Sequence, residues 1–150
     1  MPFLLVLIKN DKILVSHYGG VILLPGGSID SDETPDEAII RELREEIGIN
    51  YSIDELRKYM ILKYYQSNYQ TRDNEIINRM IKTYYYLGDY KGIDIYKVQR
   101  TEKEMKDNFY LELLSFEELM QSLNTSSDNP RKEYFDKEIN EVVKSLKLKL

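Results

Sequence analysis

Gly27-Ser28-Ile29-Asp30-Ser31-Asp32-Glu33-Thr34-Pro35-Asp36-Glu37-Ala38-Ile39-Ile40-Arg41-Glu42-Leu43-Arg44-Glu45-Glu46-Ile47-Gly48-Ile49 is the stretch on which the reading of the whole chain turns. After a small, polar and acidic opening it carries the signals of a helix start. Thr34 can cap, Pro35 suits the first helical position, and Glu37 completes a capping box. Gly48 ends the helix, because glycine takes the left-handed cap conformation without steric cost and Ile49 supplies the apolar contact that accompanies such caps. At about 100° per residue, Ile39, Ile40, Leu43 and Ile47 occupy one arc and Glu42, Glu45 and Glu46 another. Carboxylates at i, i+3 and i+4 repel one another by roughly 0.2–0.5 kcal/mol per pair. A cation between them reverses that sign, and hard carboxylate oxygens suit Mg²⁺ or Mn²⁺. An isolated pair of glutamates on a helix is usually only a solvated face, so the surroundings must decide.

Working outward, Phe3 to Ile8 and Ile13 to Ser16 are apolar runs joined by a turn containing Asn10-Asp11, which predicts a hairpin. Val21 to Leu24 is a short strand stopped by Pro25-Gly26-Gly27, with a loop to Glu33. Strands are expected near Met60 to Gln66, Arg79 to Leu87 and Phe109 to Leu114, with a polar loop from Ser67 to Asn78. Ser115 and Glu118 form a second capping box opening a short helix to about Leu123. After a polar connector, Asn129-Pro130 starts a last helix whose Phe135, Ile139, Val142, Val143 and Leu146 make an apolar stripe, read as core packing.

Composition narrows the function classes. A chain of 150 residues fits one compact domain, 1–150. The longest apolar run, Phe3 to Ile8, is far short of the ~20 residues a membrane helix needs, and no signal-peptide pattern precedes it, so the expected location is the cytoplasm. With no cysteine, disulfides, thiolate catalysis and sulfur-bound zinc are excluded, and His17 is the one histidine. A net charge of −5 argues against general nucleic-acid binding, which uses a basic surface. An anionic substrate would need another attractor, and a divalent cation would serve.

The fixed positions Gly27, Glu33, Arg41, Glu42, Glu45, Glu46 and Gly48, with Leu43, Ile47 and Ile49 at bulky aliphatic sites, fit the pattern G-x5-E-x7-R-E-U-x-E-E-x-G-U. In this the sequence resembles the Nudix hydrolase family; a chance match is on the order of one in a million from residue usage. The resemblance implies an α+β fold, a mixed β-sheet sandwiched between α-helices. The chain before the first long strand is shorter than is usual for the family, so an edge strand is expected to be missing or displaced. It also implies a metal-dependent pyrophosphohydrolase acting on a nucleotide-like diphosphate. Glu45 and Glu46 match principal metal ligands, Glu42 a further ligand or the group that activates water, and Gly26 a residue whose carbonyl reaches the metal. Arg41 and Glu33 match positions that orient the cluster by ion pairing.

Outside this stretch the expectations are finer. Several family members carry, before the late helix, a further glutamate that contributes a metal ligand or base, and the position three residues ahead of Ser115, which the resemblance implies for that role, is Glu112. Glu102, Glu104 and Asp107 compete for the same role. Tyr65, sixteen residues beyond Ile49, stands where ADP-ribose pyrophosphatases of the family carry proline and dinucleoside polyphosphate hydrolases tyrosine. Tyr84 and Tyr86 share a strand face on which a base could stack, against the plainer reading of a half-buried sheet. The expected substrate is a nucleoside diphosphate derivative, with dinucleoside polyphosphates ahead of ADP-sugars. An RNA 5′-end pyrophosphohydrolase and a non-catalytic nucleotide-sensing module are the alternatives, and a homodimer is left open.

Overall fold

The strands and helices follow the apolar pattern closely near the centre of the sheet and less closely at its edges. A computed structural model describes residues 2–106, 108–125, 127–129 and 131–149, with residues 148 and 149 described as backbone only. In chain order the elements are β1 (Pro2–Lys9), β2 (Lys12–Tyr18), β3 (Val21–Leu23), β4 (Gly26–Ser28), α1 (Pro35–Ile47), β5 (Leu56–Gln70), β6 (Ile76–Asp89), α2 (Glu102–Lys106), β7 (Tyr110–Ser115), α3 (Phe116–Ser122) and α4 (Lys132–Lys149). Asn10 and Asp11 both have positive φ, 51° and 60°, as the tight turn of a two-residue hairpin requires.

β1 is the axis of the sheet. It runs parallel to β6 from Phe3↔Tyr84 to Ile8↔Asp89, while the remaining pairings are antiparallel, so the sheet is mixed. Its other edge is shared: β2 takes the far end at Ile8 and Lys9, and β4 the near end at Pro2 to Leu4. Alternation sends Phe3, Leu5 and Leu7 to a cluster with Ala38, Ile39, Leu43 and Ile47 of α1, and Val6 to a cluster with Leu119 of α3 and Ile139, Val142 and Leu146 of α4. A strand covered on both faces is apolar throughout, which is why Phe3 to Ile8 reads as one unbroken run. The sheet is therefore sandwiched between α1 and the α3–α4 pair, the expected α+β architecture. Among the described residues no helix is long and apolar enough to cross a membrane.

Three local expectations need correction. The glycine pair does not simply end a strand: Gly26 and Gly27 form β4 against β1. The expected loop from Ser67 to Asn78 is mostly ladder, since β5 and β6 pair out to Gln70↔Ile76 with an irregularity between Gln66 and Tyr69. Its polar composition reflects an arm with solvent on both faces, where no buried side enforces alternation. Ile40 and Phe135 are only half-buried; each lies at the margin of its helix's apolar stripe. Pro130 is outside the described residues.

Candidate active site

Helix α1 presents the acidic face as its sequence dictates. Thr34 is the N-cap, its hydroxyl accepting from Glu37 N at 3.2 Å, and Gly48 closes the helix at φ 73°. The Glu37 carboxylate meets the Thr34 hydroxyl at 3.1 Å. With Ala38, Ile39, Leu43 and Ile47 buried against the sheet, Glu42, Glu45 and Glu46 are left along the helix's flank.

Arg41 organises the near end of this flank. Its Nε and Nη2 donate to the two oxygens of Glu33 at 3.0 and 2.7 Å, Nη2 also donates to Ser28 O at 3.1 Å, and Nη1 donates to Glu42 Oε1 at 3.0 Å and Glu45 Oε2 at 3.4 Å. A bidentate fork of this kind fixes geometry as well as charge. The Arg41 bonds hold the Glu33 carboxyl below its ordinary range, helped by the Asp30 amide, and Glu33 in turn pushes the Arg41 guanidinium up. Arg41 and Glu33 are thus brought together with the cluster.

Glu46 is different. Its Oε2 is buried and has no hydrogen-bond partner; the nearest cation, Arg100 Nη1, stands 3.9 Å away, too far for a hydrogen bond. Burial pushes the Glu46 carboxyl up to about 7, against the opposing charge of Arg100. Glu42 is also raised, chiefly by burial, with Arg41 opposing. A buried, unpartnered carboxylate oxygen is costly unless something neutralises it. Among the described residues no three acidic or histidine side chains stand gathered at ligating distances; Arg41 engages Glu42 and Glu45, while Glu46 stands outside its fork. The donor set nonetheless fits a hard divalent cation: three carboxylates on one helical flank, one of them an orphaned buried oxygen.

Gly27 joins this cluster to a cleft. A Cβ built on Gly26 would collide with the backbone Phe3 O of β1, a close approach that only glycine permits, and one on Gly27 would strike the end of the Glu42 side chain. On its other side Gly27 lines a cavity of about 340 Å³ with Gly26, Leu4, Thr83, Tyr134 and Glu138. That volume lies within the ~300–1,000 Å³ of small-molecule sites. Glu138 is buried at its floor and accepts from the Tyr85 hydroxyl at 2.5 Å.

Other expected residues are placed elsewhere. Glu112 is not brought to the cluster: strand alternation turns it away from α1, and its carboxylate meets His17 Nε2 at 2.7 Å on an exposed surface. Among its loop competitors, Glu104 is the carboxylate whose charge reaches both Glu42 and Glu46; it also caps α2 by accepting from Thr101 N at 2.9 Å. Asp107 lies outside the described residues. Tyr65 is 72% exposed on the face of the β5–β6 arm turned away from the cleft. Tyr86 is buried under α1 and Tyr84 packs beside it, so neither lines the cleft.

Arg100 is a residue that sequence reasoning missed. Its guanidinium donates to the carbonyls of Glu45 and Glu46 at 3.2 and 3.0 Å, and lies over the Phe109 ring at 4.5 Å. It thereby satisfies carbonyls that the end of α1 leaves without partners. No pattern in the sequence signals a contact made across more than fifty positions.

A family model described as the NUDIX domain matches residues 3–137. An 8-oxo-dGTP diphosphatase of Proteus vulgaris is 54% identical over 40 residues, 27% of this chain and 36% of that protein. An RNA pyrophosphohydrolase of Gluconacetobacter diazotrophicus is 57% identical over 35 residues, 23% of this chain and 21% of that protein. The matches thus span well under half the length of these curated relatives. Among solved structures, a NUDIX hydrolase from Nitrosomonas europaea superposes with a TM-score of 0.56 at 14% identity, covering 93% of this chain and 87% of that one. That likeness is one of fold.

Proposed function

Because the chain belongs to the NUDIX family, we propose that it is a metal-dependent pyrophosphohydrolase that cleaves the diphosphate linkage of a nucleoside diphosphate derivative by attack of water on phosphorus. The observation that carries this reading is the buried, unpartnered Glu46 Oε2 on the same helical flank as Glu45 and Glu42, of which Glu42 lies against Gly27 at the edge of the cleft. Glu45 and Glu46 would hold Mg²⁺ or Mn²⁺, with Glu42 as a further ligand and the Gly26 carbonyl completing the set. When bound, the ion supplies charge neutralisation for the diphosphate and Lewis acidity toward water.

The remaining work belongs to the chain's own groups. Arg41 fixes Glu42 and Glu45 through the Glu33 fork. Glu104 takes the proton of the attacking water, rather than Glu112, which pairs with His17 on the other face of the sheet. The nucleoside end occupies the cleft between β6 and α4, over Thr83 and Glu138. Support for a nucleotide substrate comes also from the diphosphatase and pyrophosphohydrolase names of the relatives.

The test is a screen of nucleoside triphosphates, nucleoside diphosphate sugars and dinucleoside polyphosphates with Mg²⁺ or Mn²⁺, reading phosphate products. Wild-type protein should turn over at least one class, and Glu46→Gln should lose most of that turnover with its fold intact. Near wild-type rates in Glu46→Gln at saturating metal would reduce the cluster to a solvated face.

A further inference from the structure

The cleft does not stop at Tyr134. A second cavity of about 320 Å³ adjoins it, sharing Ile81, Tyr134 and Phe135, and reaches outward between the β5–β6 arm and the start of α4. Its walls carry four aromatic rings, Tyr64, Tyr69, Tyr134 and Phe135, and two guanidinium groups, Arg79 and Arg131. The rings are mutually braced: Tyr64 meets Tyr134 edge-on at 4.7 Å and Tyr134 meets Phe135 at 5.3 Å. Arg79 is held flat, its guanidinium 3.3 Å from the centre of the Tyr69 ring and its Nε donating to Gln66 Oε1 at 2.9 Å.

Among the described residues neither Arg79 nor Arg131 forms an ion pair. In a protein of net charge −5, two arginines without carboxylate partners in an aromatic-walled cavity are an anion site with stacking surfaces. Guanidinium forks match phosphate oxygens, and rings of this kind stack on bases whatever the base. Packing alone does not account for it, because Arg131 is exposed and, among the described residues, its guanidinium forms no hydrogen bond or ion pair.

We propose that this arm pocket binds the second nucleotide unit of a dinucleoside polyphosphate, its base among the rings and its near phosphate on Arg79 and Arg131. The proposal rests on the pyrophosphohydrolase reading and narrows its substrate class. It also relocates the selectivity expected of Tyr65 to its neighbour Tyr64, which strand alternation points into the pocket. With only two cations present the site suits one nucleotide rather than a tracking RNA strand, whose binding needs a longer basic groove.

The experiment is calorimetric, on the full chain carrying Glu46→Gln to prevent turnover, in Mg²⁺, with diadenosine tetraphosphate, ATP and a 5′-triphosphorylated oligoribonucleotide as ligands. The expected result is tighter binding of diadenosine tetraphosphate than of ATP. Adding Arg131→Glu should weaken the dinucleotide about tenfold or more, the size of one lost charge-assisted contact, and ATP less than twofold, with an unchanged melting temperature. Equal affinity for the two small ligands, equal weakening of both, or no detectable binding of either overturns the proposal. Selective loss of the oligoribonucleotide instead overturns it in favour of an RNA end. Failure of the hydrolase reading is separate: it appears as absent turnover by the wild-type chain and leaves the binding contrast legible.

Discussion

Glu104 and Glu112 show how a single residue's role depends on strand parity. Both are acidic and precede the late helix, Glu104 in a polar run and Glu112 between leucines, and neither setting by itself says which of them reaches the cluster. Pairing of β7 with β2 sets Val15 opposite Glu112, which commits Glu112 to the α3–α4 side, whereas Glu104 sits in the segment that wraps the end of α1. Glu104→Gln should therefore lower kcat by about 10²–10⁴, the usual worth of a positioned base, and Glu112→Gln should leave kcat unchanged; steady-state kinetics on the pair decides between them. Gly27 makes a second test at this scale. Because the atom that a Cβ would strike is the end of the flexible Glu42 side chain, Gly27→Ala should displace that carboxylate rather than unfold the sheet. Activity should fall at least tenfold, about 1.4 kcal/mol, while the melting temperature moves by no more than a few degrees.

At the scale of elements, α1 was legible almost to the residue because its caps, its apolar arc and its acidic flank all agree. Such agreement across local rules is what makes an element readable. The distal arm was not, because Ser67, Asn68 and Gln70 face water on either side and carry no alternation. Nor was the loop of residues 90–101, which closes the end of α1 by long-range bonds from Asp94 N to Ile47 O and from Gln99 N to Glu45 O. Within that loop Arg100 should be the most sensitive position. Arg100→Ala removes two donors from the carbonyls of Glu45 and Glu46 and should destabilise the fold by about 1.5–3 kcal/mol, as hydrogen bonds from charged groups are worth. Arg100→Lys should recover little of it, because an ammonium cannot span both carbonyls as a planar fork does. Denaturant melts of the two variants measure this, and full rescue by lysine would mean that charge alone matters.

Across the whole molecule, two acids with buried carboxylate oxygens or side chains lie on opposite faces of one sheet: Glu46, whose Oε2 is buried on the flank of α1, and Glu138, buried on α4 beside the cleft. The sequence placed the first in a recognisable pattern. The second was invisible, since a glutamate beside the stripe of α4 reads as its solvated margin, and only the Tyr85 hydroxyl at 2.5 Å makes its burial tolerable. Both carboxyls are raised by burial, Glu46 to about 7 and Glu138 upward against the Tyr85 bond. The folded protein consequently retains protons that the unfolded chain, with ordinary carboxyls near 4.5, gives up. Where the native state binds more protons than the unfolded one, stability falls as pH rises. Metal-free protein should thus be most stable, with respect to these groups, below about pH 4.5, and its melting temperature should decline as pH climbs through 7. Saturating Mg²⁺ should raise the melting temperature at pH 8, since a ligand at 100 times its Kd adds about 2.7 kcal/mol, and should do so less at pH 5, where Glu46 is protonated. Glu46→Gln should flatten its share of the decline and abolish the metal's effect, whereas Glu138→Gln should flatten only the share from the other face and leave the metal's effect in place. Scanning calorimetry of the three proteins between pH 5 and 8, with and without Mg²⁺, separates the two faces; a slope unchanged in both variants would place the buried protons elsewhere.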